Sequence, residues 1–208
     1  MARDEEANRS ALAMMNTPRW AMARHDAATS VAALTNTFSC SLGISLSQAK
    51  TPKTFALLQR TVIDAGGATN EAKNFYRRPR PYMVNDKPNC TPEADAALRA
   101  SPSYPSGHSS AGWAIGLVLS EISPTQTNAI LERARAFGES REICNVHWRS
   151  DVQAGQLVAS AVVARLHAEA AFRDDVAAAR AEVEAVRALK APLNADCDIE
   201  AQTLKSWR

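Results

Sequence analysis

The sequence predicts an all-α fold, a single compact helical bundle. Three observations carry this. Apolar residues recur at helical spacing through alanine-rich segments along most of the chain, and the alternating apolar runs expected of strands are absent. The composition, with 8 glycines and 6% aromatic residues, leans toward helix rather than sheet. At 208 residues, with 46% hydrophobic and 22% charged side chains, one domain with a buried core is the default. That domain is expected over residues 1–191, followed by a C-terminal tail, 192–208.

The elements follow in order. Glu5 to Met15 carries Ala11, Leu12 and Met15 on one side. Thr17-Pro18 reads as a cap followed by a first-turn proline. It opens a long helix to about Ser39, with Trp20, Ala23, Ala27, Val31 and Leu34 inward and His25 on the surface. Thr54 to Ala65 forms the next, with Phe55, Leu58, Val62 and Ile63, and Gly66-Gly67 interrupts or ends it before a further turn bearing Lys73. From Arg78 to Pro105 six prolines mark a long loop with a short helix at Glu93 to Ala100; a loop of this length in a compact domain is often functional. Gly107 to Glu121 is apolar nearly all round and should be central. Ser123-Pro124 starts a helix to Phe137. Ser150 or Asp151 opens another to about His167, in which Val152 to Ala164 reads as a buried core helix. Phe172 to Leu189 is amphipathic.

A formal charge of +2 is too small to indicate nucleic acid or an anionic membrane as partner. No run reaches the roughly 18 to 20 apolar residues of a membrane span. Arg3, Asp4, Glu5 and Glu6 follow Met1 directly, unlike a signal-peptide core, which leaves a cytosolic chain or a mature secreted one. The four cysteines form no CxxC pair, which argues against zinc or redox sites. They allow three disulfide connectivities. Cys90 in the proline-rich loop is expected to meet Cys144, leaving Cys40 and Cys197 to staple the tail.

Three stretches carry chemistry. In Ser140 to Asp151, SREICNVHWRSD, a helix would put His147 and Asp151 on one face, four residues apart. The carboxylate would then set the imidazole tautomer and leave the other nitrogen free as nucleophile or base. Arg141 adds donors suited to an oxyanion. Lys73 to Pro81, KNFYRRPRP, places Lys73 and Arg80 seven apart. Ser103 to Ser109, SYPSGHS, sets Ser106, Gly107 and His108 before an apolar helix, where backbone N–H groups favour anions. Any one stretch alone is weak; together they supply cations, two histidines and a carboxylate for a tetrahedral oxyanion. Arg77 and Arg78 extend the positive entrance or are simply solvated. Tyr76, Tyr104 and Trp148 are candidates to line the pocket, and Glu142 reads as a structural partner. His167 reads as a surface residue.

Lys73 with Arg80-Pro81, Pro105-Ser106-Gly107-His108, and Ser140-Arg141 with His147 and Asp151 together resemble the three-part motif of type-2 phosphatidic acid phosphatases, bacterial non-specific acid phosphatases and vanadium haloperoxidases. Gly138 to Asp151, Ser103 to His108 and Gly112-Trp113 are similar to the soluble class A bacterial acid phosphatases, a likeness running from about residue 10 to 175. The resemblance implies the helical fold of that superfamily and hydrolysis of a broad range of phosphomonoesters, nucleotides included, with some phosphate transfer to alcohols. It implies His147 as nucleophile forming a phosphohistidine, Asp151 orienting it, and His108 as general acid and base. Lys73, Arg80, Ser106, Gly107 and Arg141 would bind phosphate. It implies no metal or other cofactor, inhibition by vanadate, an acid pH optimum, a periplasmic or secreted location, and a homodimer. The competing readings are a vanadate-dependent haloperoxidase, a lipid phosphatase, and a helical phosphate-binding protein without catalysis.

Overall fold

The structure, a computed structural model, describes residues 2–28, 30–193 and 196–205. Thirteen α-helices and two short 3-10 turns, with no strand, make up the regular structure of these residues. The helices are α1 Ala2–Leu12, α2 Pro18–His25, α3 Val31–Thr37, α4 Ser39–Leu42, α5 Pro52–Gly67, α6 Asn70–Tyr76 and α7 Tyr82–Asn85. They continue with α8 Asp95–Ala100, α9 Gly107–Ile122, α10 Thr127–Ile143, α11 Arg149–Leu166, α12 Ala170–Ala188 and α13 Cys197–Lys205.

Helix α9 is the centre of the bundle, packed against α5, α10, α11 and α12. Ala114, Ile115, Val118, Leu119 and Ile122 are buried along it, as the nearly uniform apolar character of the segment requires. Its small residues let the neighbours close in. A Cβ at Gly112 would lie 2.3 Å from the Phe137 ring of α10, and one at Gly116 2.6 Å from Ala134. On the other side, Gly155 of α11 leaves so little room that a Cβ would stand 2.4 Å from the Ser106 carbonyl oxygen. The amphipathic α12 seals α5, with Phe172, Val176, Ala179 and Val183 buried.

The expected single helix from Pro18 to Ser39 is three helices. Thr17 caps α2 as predicted, its hydroxyl accepting from Trp20 N. The helix stops at Asp26, whose buried carboxylate takes two hydrogen bonds from Arg133 (2.6 and 3.2 Å) and one from Ser140 Oγ (2.6 Å). Tying Asp26 to α10 turns the chain away, and Ser30 recaps it for α3. Val152 to Ala164 is not buried all round either: Leu157 is 72% exposed, and α11 buries only the face of Val152, Gly155, Ala159 and Val163. Ile63, expected on the apolar face of α5, is likewise exposed, while Gly66 and Gly67 stay within that helix.

Both expected disulfides form, Cys90–Cys144 and Cys40–Cys197. The second joins α4 to α13, which lies in the stretch expected as tail and also receives Arg133 on Glu200 (3.2 Å). Residues 194–195 and 206–208 of that stretch lie outside the described residues.

The packing of Gly155 predicts that Gly155→Ala lowers unfolding stability by about 1–3 kcal/mol, the usual cost of overpacking. Gly67→Ala, with open space at its Cβ in a helix, should be neutral or stabilising by up to about 1 kcal/mol. Thermal melts of the two variants check the contrast.

Candidate active site

Lys73, Arg80, Gly107, His108, Arg141 and His147 line one cavity of about 950 Å³. Ser106 and Asp151 stand behind its wall. The three stretches converge because two helix N-termini dock on each other: Ser106 N, at the cap of α9, donates to the Asp151 carbonyl in the first turn of α11 (2.9 Å). Ser106 Oγ accepts from Ser109 N (3.2 Å) and Ser109 Oγ (2.9 Å), so this side chain caps the helix and does not line the cavity.

His147 and Asp151 do not share a helix face, as a continuous helix would have arranged. Helix α10 ends at Ile143, Asn145 takes a left-handed conformation (φ 60°), and His147 precedes Trp148, the N-cap of α11. The pair is brought together by the helix start. Asp151, at N3, accepts from Trp148 N through Oδ2 (2.8 Å), and the same oxygen lies 3.4 Å from His147 Nδ1. That contact is too poorly aligned for a hydrogen bond, so Nδ1 is buried without a partner. On the other side of the ring Nε2 lies 3.1 Å from Arg80 Nη1. A guanidinium only donates, so Nε2 is the acceptor. The neutral ring then carries its proton on Nδ1, toward Asp151, and its lone pair on Nε2, toward Arg80.

Arg80 is held by main-chain carbonyls: Nε donates to Leu98 O (2.8 Å) and Ser101 O (3.0 Å), and Nη1 to Val146 O (2.9 Å). Lys73 Nζ donates to Pro102 O (2.7 Å). Arg141 Nη2 donates to Ala23 O and contacts Cys144 Sγ, while its buried Nε has no partner. Among the described residues none of these three cations has a carboxylate in ion-pair contact. Burial, then mutual repulsion, lowers Lys73 to a pKa of about 8; burial lowers Arg80 and Arg141 to about 10. Asp151 and Asp26 offset this charge only from a distance; positive charge gathered without a contacting carboxylate is costly, and a bound anion offsets the cost.

The same surroundings act on the imidazoles. Burial foremost, then Arg80 and Lys73, hold His147 well below the ordinary histidine value, so it is neutral. Burial and Arg141 bring His108 to about 4. His108 Nε2 lies 3.1 Å from the Ala27 carbonyl, which can only accept, so this nitrogen carries the proton and Nδ1 is open. The ring stacks on Phe137, with centroids 6.5 Å apart. Asp151 is pushed upward by burial, against its hydrogen bonds from Trp148 N and Arg78.

The other candidates fall elsewhere. Tyr76, Tyr104 and Trp148 do not line the cavity: Tyr76 and Tyr104 pack edge to face, and Trp148 Nε1 donates to Pro79 O. Arg77 is exposed, but Arg78 turns behind the cavity to Asp151 and Asp4. Glu142 pairs with Arg149, burial raising its pKa to about 7. His167 is half-buried and bonded to Glu121. Sequence reasoning missed the Ala27 carbonyl, because the break in the expected long helix leaves no local signal. It also missed Asp4, remote in the chain from the residues it binds.

A helical bundle with a neutral imidazole lone pair beside cations that lack a contacting carboxylate suits the handling of tetrahedral oxyanions. The chain belongs to the PAP2 superfamily, whose model matches residues 55–173. It is 38% identical over 186 residues to an acid phosphatase of Zymomonas mobilis, covering 89% of this chain and 70% of the relative. It is 38% identical to a non-specific acid phosphatase of Salmonella typhimurium (86% and 72% covered), and 39% identical to one of Providencia stuartii (81% and 68%).

An anion in this cavity opposes the cations that depress His108. Inorganic phosphate should therefore raise the His108 titration midpoint from about 4, read by NMR of the ring nitrogens. An unmoved midpoint at saturating phosphate removes the cavity as the anion site.

Proposed function

We propose that this protein is an acid phosphatase that hydrolyses a broad range of phosphomonoesters, nucleotides among them, through a phosphohistidine on His147. The observation that carries the reading is the set of three cations, buried Arg80 and Arg141 and half-buried Lys73, that line one cavity with His147 and have no contacting carboxylate among the described residues. The names of the relatives agree with it.

The steps follow from the geometry. Phosphate oxygens take the free donors of Lys73, Arg80 and Arg141 and the N–H groups at the start of α9, drawing Arg80 away from His147 Nε2. The nitrogen attacks phosphorus in line; the N–P bond forms as the bond to the leaving oxygen breaks. His108 passes a proton to that oxygen, so an alcohol departs. The imidazole becomes positive, and Asp151 stabilises the proton on Nδ1; the 3.4 Å separation closes to a charged hydrogen bond as charge builds. Water then attacks the phosphohistidine and yields its proton to His108, the N–P bond breaks, and phosphate leaves. An alcohol in place of water gives phosphate transfer. Phosphoryl transfer needs positioning and charge stabilisation above all, which these residues supply without a metal. Vanadate, a mimic of the five-coordinate state, inhibits.

Room for varied leaving groups supports breadth of substrate: the cavity of about 950 Å³ is far larger than a phosphate, and its outer wall mixes Ala21, Ala28, Ala97 and Leu98 with polar Arg24, Asn70 and Glu93. The two disulfides suit a periplasmic or secreted setting, and no described helix is long and apolar enough to cross a membrane. A homodimer accords with this reading and is tested by sedimentation.

His147→Ala should lose activity by at least about 10³-fold while still binding phosphate. Denatured wild-type protein quenched during turnover should carry an acid-labile, base-stable phosphate; retained activity in the variant overturns the reading. The pH profile has a defined sign. His147 is neutral well into acid, so attack survives there. His108 must be protonated in the complex and loses its proton as pH rises, so kcat should peak below neutrality and fall through it. Rates that climb into alkaline pH, or that vanish in chelator, contradict the assignment.

A further inference from the structure

Resting on the reading of Asp151 as the carboxylate that orients the nucleophile, we infer that Arg78 and Asp4 form a clamp positioning Asp151, and through it His147, for attack. In the sequence Arg78 stands beside the phosphate-binding Arg80. Its side chain points the other way. Nη1 donates to Asp151 Oδ1 (2.7 Å) and to Ser150 Oγ (2.7 Å), and Nη2 to Asp4 Oδ2 (2.8 Å). Asp4 reaches across from α1: its Oδ1 accepts from Ser150 N (2.9 Å), and its Oδ2 from Ser150 Oγ (2.8 Å). The guanidinium lies over the Trp148 ring, 5.4 Å from its centroid. The side chains of Arg78, Asp4 and Asp151 are 17%, 10% and 0% exposed.

The arrangement does more than fill space. Asp151 has two oxygens with distinct work. Oδ2 accepts from Trp148 N and faces His147 Nδ1; Oδ1 has Arg78 as its charged donor. Trp148 N and Arg78, with the Ser103 hydroxyl beside them, set the plane of the carboxylate, and that plane aims Oδ2 at the imidazole. The charged groups that bear on Asp151 are Arg78 directly, Lys73 and Arg80 from the cavity side, and the His147 ring. Arg78 is the only one of these cations in direct contact among the described residues. Asp4 and Ser150 fix the fork of Arg78 in turn, so α1 contributes to the site without touching the cavity. These are positioning residues; neither meets the substrate.

The test is steady-state kinetics across pH for Arg78→Gln, Arg78→Lys and Asp4→Asn, with thermal melts and with His147→Ala in parallel. Arg78→Gln should lower kcat by about 10- to 100-fold, the range a misplacement of roughly 1 Å produces, with KM within about 2-fold of wild type. Arg78 stabilises the ionised Asp151; without it the carboxyl protonates at higher pH, so the acid limb of kcat moves upward. Arg78→Lys keeps the charge but not the fork, and should restore the acid limb without restoring kcat. Asp4→Asn should lower kcat several-fold with the limb in place. Wild-type kcat in Arg78→Gln overturns the clamp. So does a loss of kcat in step with KM and melting temperature while the acid limb stays fixed. If His147→Ala keeps its activity, the nucleophile and the clamp fall together; if it is inactive while Arg78→Gln is normal, the clamp alone fails.

Discussion

The site depends on how closely α9 and α11 approach at their N-terminal ends. Ser106 N donates to the Asp151 carbonyl, and Gly155 lies one turn further along, directly beneath the Ser106 carbonyl. With any side chain at Gly155 the two starts separate. His108 rides on the first turn of α9, and His147 and Asp151 flank the first residues of α11. Their separation in the chain is about forty residues, yet one main-chain hydrogen bond and one missing methyl group govern their separation in space. Gly112 and Gly116 do the same for α10, which carries Arg141. The core is close-packed at the positions where the site needs close approach.

The cavity concentrates a cost that most of the molecule does not bear. Elsewhere most buried charges are matched, Arg133 with Asp26 and Glu200 and Arg78 with Asp4 and Asp151, while the buried Arg19 rests on Ser140 Oγ and the Ala136 carbonyl. In the cavity Lys73, Arg80 and Arg141 rest on main-chain carbonyls, which solvate a cation partly and leave its charge in place. Such a site is destabilised when empty and relieved by an anion. The matched network does structural work close by. Asp26 fixes the break between α2 and α3, and the next residue, Ala27, presents the carbonyl that sets the His108 tautomer. A stabilising ion pair and the proton inventory of the site thus share one turn of chain. The Cys90–Cys144 bridge, reinforced by Cys90 N donating to Cys144 O (3.3 Å), ties the proline-rich loop to the turn that bears His147.

Much of this was legible in the residues. Apolar spacing marked the central helix and the sealing helix, because those faces repeat every three or four positions and bury accordingly. Thr17 before Pro18 and Ser106 before Gly107 marked helix starts. Lys73, Arg80, Gly107, His108, Arg141 and His147, which line the cavity, are all legible in their stretches. The errors have physical causes. Residues 18–39 read as helical by local preference, and the first break falls at Asp26, which is tied to Arg133, 107 residues away. His147 and Asp151 have helical spacing but gain their contact from an N-terminal turn, where N3 folds back on the residues before the cap. Tyr76, Tyr104 and Trp148 were plausible pocket walls by chemistry and lie outside it by direction.

By itself the sequence determined the all-helical class, the order of the elements and the residue types gathered for oxyanion chemistry, since periodicity, caps and side-chain functional groups are local properties. Tertiary structure alone decided which way each side chain faces. Arg78 and Arg80, two positions apart and both cationic, point to opposite sides of His147: one holds the carboxylate behind it, the other its lone pair in front. Nothing in either residue distinguishes them. The partners that do, Asp4 and Asp151 on one side and the carbonyls of Leu98, Ser101 and Val146 on the other, arrive only when distant segments pack.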